Sequence, residues 1–132
     1  MKHIVSVMLV VVGLIHLLPL VGVLGAASLA NLYGLQFNEP NLEILMRHRA
    51  VLFGLLGAFL LFAAFKPALQ GMALIGGFAS VVSFLVLAWL VGGYNAQVSR
   101  VFTADLVALG CLVTGGAAHA SIHFKTTLEQ AR

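Results

Sequence analysis

From Ile4 to Gly25 the chain runs 22 residues without a single Asp, Glu, Lys or Arg, and three further apolar stretches follow. A transmembrane helix needs about 20 predominantly apolar residues, so this pattern constrains the chain more than any other feature it has. Seven Lys and Arg and four Asp and Glu serve the whole chain, 8% of residues where a soluble domain carries about a quarter. Hydrophobic residues make up 61%. So few charges cannot cover a water-facing surface of this size, which excludes soluble enzyme folds, nucleic-acid modules and disulfide scaffolds. The basic residues are scattered with no basic run, so nucleic acid is not an expected partner. Cys111 is the only cysteine and sits within an apolar segment, which rules out an internal disulfide.

The expected fold class is therefore all-α: an integral membrane four-helix bundle forming a single domain over residues 1–132, with spans near 4–25, 46–65, 71–91 and 101–118. The first run is longer than the roughly 7–15 residues of a signal-peptide core and reads as a retained first span, despite the small residues that follow Gly25. The second helix opens at Asn38-Glu39-Pro40, where Asn38 or Glu39 can cap and Pro40 suits the first turn, and it stops at Lys66-Pro67. Its uninterrupted apolar part, from Ala50 to Phe65, covers only about 24 Å of a roughly 30 Å hydrocarbon core. Trp89 and Tyr94 suit an interfacial belt at the end of the third span.

Four spans bring both termini to one side. That side carries Lys2, Lys66, Lys125 and Arg132, and the other carries Arg47, Arg49 and Arg100 among Glu39, Glu43 and Asp105. The positive-inside tendency then places both termini in the cytoplasm and the protein in a bacterial inner membrane. Small residues at helical spacing mark expected packing ridges: Ala50, Gly54, Gly57 and Ala58; Ala73, Gly77 and Val81; Gly110, Thr114 and Ala118.

An ionisable residue at membrane depth is expensive, and its position marks a candidate site. His16, Glu43, Arg47, His48, Arg49, Arg100 and Asp105 all fall toward the end opposite the termini and form the expected ligand-binding set. Glu43 and Arg47 are four apart and can pair along one helix face. Arg49 lies about 200° around the helix from Arg47, so one of the two should face the bundle. Arg49 or Arg47 is expected to meet Asp105, either as a staple between helices or as the polar mouth of a ligand site. Pro19 cannot donate to the carbonyl of Ile15, which predicts a break beside His16 and a polar niche there. The imidazole then bonds that backbone or Ser83, relays protons, or touches a ligand.

His119 and His123 share one helix face, with neither carboxylate nor thiol beside them, and read as interfacial histidines; no metal site is expected. A haem would need an axial ligand inside the bundle, for which only His16 is deep enough. There is no nucleophile triad, phosphate loop or dinucleotide fingerprint, and the sequence implies no cofactor.

Leu14-Ile15-His16-Leu17-Leu18-Pro19 and the run from Asn41 to Gly54, which includes Arg47-His48-Arg49, resemble a group of small bacterial four-helix membrane proteins. The likeness extends through Phe65, Leu90–Asn95 and Arg100–Asp105. Some of that group carry the label phosphopantetheine adenylyltransferase, which chemistry argues against: that reaction needs a soluble α/β sheet and a phosphate-binding His motif. In architecture the chain is also similar to DoxX-like proteins, a likeness that implies at most a redox accessory role and transfers no catalytic residue.

The sequence thus supports three expectations. The first is a membrane protein that binds an apolar or amphipathic small molecule at the polar cluster. The second is an enzyme or redox accessory subunit acting on a quinone-like or lipid-like substrate, and the third is a structural subunit without a ligand. Membrane lipid is the expected partner in each, with a homo-oligomer or larger membrane complex as its setting.

Overall fold

The computed structural model describes residues 2–130. Arg132 and the side chains of Lys2 and Lys125, three of the charges used to orient the chain, lie outside the described residues. Five α-helices form: α1 (Lys2–Leu17), α2 (Ala26–Tyr33), α3 (Pro40–Ala64), α4 (Pro67–Val91) and α5 (Ala96–Gln130), with a 3-10 segment over Leu18–Leu24. Four stretches are long and apolar enough to cross a membrane: His3–Leu24, Pro40–Ala64, Pro67–Val91 and Ala96–Phe124.

The break beside His16 takes the form expected of Pro19. Without an N–H to close the α-helical ladder, the chain continues as a tighter 3-10 coil from Leu18 to Leu24. Gly25 (φ 132°) then turns the chain into α2, an eight-residue helix in a stretch expected to be loop. Gly34 closes α2 in the left-handed conformation, its N–H donating to the carbonyl of Ala30.

Glu39 caps α3, its carboxylate accepting from the backbone N–H groups of Asn41 (3.0 Å) and Leu42 (2.7 Å). Those two bonds favour the charged form and hold the Glu39 carboxyl below its ordinary range. Pro40 follows in the first turn, as its fixed φ favours.

The long helices pack as a ring in which α1 lies against α3 and α5, and α4 closes the ring between them. Among the described residues α3 and α5 do not pack on each other and stand diagonally opposed. The main core joins Val5, Leu9 and Val12 of α1 to Leu60 of α3, Val81 of α4 and Leu112 of α5. A smaller cluster of Leu29, Tyr33 and Phe37, backed by Met46 and Val101, caps the far end, away from the termini.

In lipid the helices gain little from apolar burial alone, so close backbone approach matters more. At the α1–α3 crossing, a Cβ at Gly57 would lie 2.9 Å from the Gly13 carbonyl oxygen, and one at Gly13 would lie 3.1 Å from that of Gly57. The expected ridge Ala73, Gly77 and Val81 of α4 is buried throughout, and the other two small-residue ridges are corrected in phase. Ala50, Gly54 and Gly57 are buried but Ala58 is exposed. On α5 the packed face carries Ala108, Leu112, Gly115 and Ala118, while Gly110 and Thr114 point away and Thr114 bonds the Gly110 carbonyl. In a chain this rich in Ala and Gly, small residues occur on both helix faces, so spacing alone leaves the phase open.

Gly57→Ala should therefore cost about 1–3 kcal/mol of unfolding free energy in detergent micelles. Gly110→Ala, where an added Cβ meets nothing within 4 Å, should leave stability unchanged or raise it by up to about 1 kcal/mol.

Candidate polar cavity

Between the core and the far-end cluster lies a cavity of about 260 Å³. Its wall takes His16 from α1, Leu18 and Pro19 from the 3-10 segment, Tyr33 from α2, Arg49 and Phe53 from α3, Phe84 from α4, and Arg100 and Asp105 from α5. The 3-10 segment around Pro19 contributes Leu18 and Pro19 to this wall, next to His16 at the end of α1.

Arg49 is half-buried, and its guanidinium donates to the Tyr33 hydroxyl at 2.9 Å. Its central carbon stands 4.7 Å from the Phe53 ring centre and 5.4 Å from that of Tyr33, a cation held against two aromatic faces. Tyr33 is fixed from its other end too, since the Asn95 amide donates to its backbone carbonyl at 2.7 Å. The same Asn95 side chain accepts from the N–H of Val98 at 2.9 Å and so opens α5. One asparagine thus ties the start of α5 to the residue that holds Arg49.

His16 is 3% exposed, the only buried histidine among the described residues. Nδ1 lies 2.9 Å from the Val12 carbonyl oxygen, which can only accept, so Nδ1 carries a proton and donates. Nε2 is 3.2 Å from the Ser80 hydroxyl, which donates to a neutral ring. The partner is Ser80 where Ser83 was expected; Ser83 is exposed and bonds the Ser80 carbonyl instead.

The expected contact between an arginine and Asp105 does not form. Among the described residues the ion pair is Glu43–Arg47, at 3.3 Å along α3. Arg47 also donates to the Val23 carbonyl at 3.0 Å, which pins the 3-10 segment to α3. Arg49 turns to Tyr33 instead. Asp105 and Arg100 line the cavity without a hydrogen bond to any described residue.

Of the seven candidate positions, His16, Arg49, Arg100 and Asp105 line the cavity, and Glu43, Arg47 and His48 lie outside its wall. Tyr33, Ser80 and Asn95 were not singled out from sequence. Asn95 did leave a signal there, a capping residue three positions before Val98 at a helix start. Beside the cavity runs a crevice of about 150 Å³ that shares Tyr33, Arg49, Phe84 and Val101 with it and is otherwise lined by Leu35, Met46 and Val98.

A second cavity, of about 480 Å³, opens at the end carrying the termini, where His3, His119 and His123 meet Gln70 and Ser6. The His119 and His123 rings stand edge to face with centres 4.5 Å apart. Gln70 is buried and donates to the Ser6 hydroxyl (3.3 Å) and the Ala64 carbonyl (3.2 Å). No three His, Cys, Asp or Glu side chains among the described residues come together as metal ligands. Comparison of the chain with protein-family models, with curated proteins and with solved structures found no match.

A double-mutant cycle on Arg49→Leu and Tyr33→Phe, measured by unfolding in micelles, should give a coupling of about 1–3 kcal/mol, as expected for a hydrogen bond to a charged donor. A coupling near zero would remove Tyr33 as the partner that holds Arg49.

Proposed function

We propose that this is a small membrane protein that binds an amphipathic molecule, its polar head in the far-end cavity and its apolar part in the adjoining crevice. The observation that carries this reading is that two spaces adjoin, sharing Tyr33, Arg49, Phe84 and Val101. The first is a mostly apolar cavity on which His16, Arg49, Arg100 and Asp105 converge, and the second is almost wholly apolar. Ligand sites commonly combine an apolar wall with a few convergent polar groups. A cavity of about 260 Å³ falls just below the roughly 300–1,000 Å³ usual for drug-sized ligands, which suits a head group whose tail lies elsewhere. In this reading both termini face the cytoplasm and the cavity opens in the outer leaflet of a bacterial inner membrane. Lys66, exposed in the turn between α3 and α4, then lies on the cytoplasmic side.

A second reading draws on the same wall. His16 with its Ser80 partner, and Asp105 without one, are groups able to exchange protons with a quinone-like or lipid-like substrate, which would make the protein an enzyme or redox accessory subunit.

Native mass spectrometry of the gently solubilised protein tests the binding reading. The wild type should retain an amphiphile, Arg49→Leu should reduce its occupancy at least about tenfold, and His48→Gln, at an exposed position outside the cavity wall, should leave it unchanged. Retention that is indifferent to Arg49 would contradict the site. A retained species with a quinone absorption spectrum would favour the second reading over the first.

A further inference from the structure

The charges around the cavity are arranged in an unusual way. The part-buried guanidinium of Arg49, the exposed one of Arg100 and the part-buried carboxylate of Asp105 line a single space, yet among the described residues no ion pair forms between them. Away from bulk water an unpaired charge is costly, and a side chain able to reach its opposite ordinarily does so. Here Arg49 is engaged by the Tyr33 hydroxyl and by the faces of Tyr33 and Phe53. A guanidinium has five N–H donors and Arg49 places one of its nitrogens on Tyr33, so most of its donors remain for a ligand. Asp105, on the diagonally opposed helix, offers a carboxylate that accepts from no described residue. The complement of this arrangement is a molecule with an anionic acceptor at one end of a short link and a cationic N–H donor at the other.

We propose that the cavity takes a zwitterionic head group of the ethanolamine phospholipid class, a phosphodiester joined by a short link to a primary ammonium. The phosphate sits on Arg49 and Arg100, and the ammonium donates to Asp105. The assignment rests on the reading of this cavity as an amphiphile site, and adds to it the chemistry of the head. Arginine is suited to phosphate because its planar fork presents parallel donors. Asp105 supplies selectivity: a primary ammonium brings N–H donors to the carboxylate, a quaternary ammonium brings charge without donors, and a glycerol head brings no cation.

The route of entry agrees with a ligand drawn from the bilayer. Val81 of α4 is fully buried, but none of residues 82–91 is, so the far third of α4 leaves that side of the bundle loosely covered. Phe84 stands on this stretch and belongs to the wall of both the cavity and the crevice. A lipid entering beside Phe84 meets the apolar crevice with its chain and Arg49 with its phosphate.

The test is a lipid panel. The intact protein is reconstituted in nanodiscs containing phosphatidylethanolamine, phosphatidylcholine and phosphatidylglycerol in equal parts, then stripped of bulk lipid and weighed by native mass spectrometry. Wild type should keep phosphatidylethanolamine at about tenfold or greater occupancy over each of the others, the scale of one charge-assisted hydrogen bond. Asp105→Asn should abolish the preference over phosphatidylcholine while some phospholipid is still held. Arg49→Leu should lose all three. Equal retention of phosphatidylethanolamine and phosphatidylcholine by wild type overturns the head-group assignment and leaves the amphiphile site standing; that comparison needs no variant to fold. Lipid retention unaffected by Arg49→Leu overturns the site itself. Soluble phosphoethanolamine added at the lipid's concentration should not displace it, and displacement would transfer the assignment from a bilayer lipid to a water-soluble phosphoamine.

Discussion

A guanidinium within a helix apolar enough to cross a membrane must find partners for its donors within the protein, and most of the far-end architecture follows from how Arg49 does so. Its partner is the hydroxyl of Tyr33, which only the short helix α2 brings into reach. That helix exists because Gly25 and Gly34 turn the chain at either end of it. It is held down by Asn95, which also starts α5. The placement of one cation therefore depends on two glycine turns, a tyrosine and a helix cap from another part of the chain.

The cavity is the other half of that arrangement. Pro19 removes one backbone donor beyond α1, and the 3-10 segment around it, which carries the wall residues Leu18 and Pro19, is secured by Arg47 through the carbonyl of Val23. Two arginines separated by one residue thus divide the work, Arg47 fastening the 3-10 segment and Arg49 lining the cavity. His16, at the last regular turn before the break, spends both ring nitrogens on Val12 and Ser80 and stabilises the cavity wall.

Much of this was legible in the sequence, for physical reasons that differ from residue to residue. The four spanning stretches follow from hydropathy because lipid tolerates little else. The α3 start follows from Glu39-Pro40, where capping and a fixed φ coincide, and the placing of His16, Arg49 and Asp105 at one level of the bundle follows from counting helical rise. Rotation about a helix axis was harder to read. Ser80 and Ser83 lie less than one turn apart, so a small error in azimuth exchanges them, and the same limit put Gly110 and Thr114 on the packed side of α5. The absent contact between Arg49 and Asp105 was beyond sequence for another reason. Arg49 bonds Tyr33, a residue in a segment too short for periodicity to identify as helix, and α3 and α5 stand diagonally opposed.

The account stands on one claim, that the space between Arg49 and Asp105 is built to be filled by an amphiphile's head. A cryo-electron microscopy or crystal structure of the protein in native lipid tests it most directly. The account predicts density within hydrogen-bond distance of the Arg49 guanidinium, continuing past Phe84 into the crevice lined by Leu35, Met46 and Val98. A structure in which Arg49 leaves Tyr33 to pair directly with Asp105, closing the cavity with nothing between them, would contradict it.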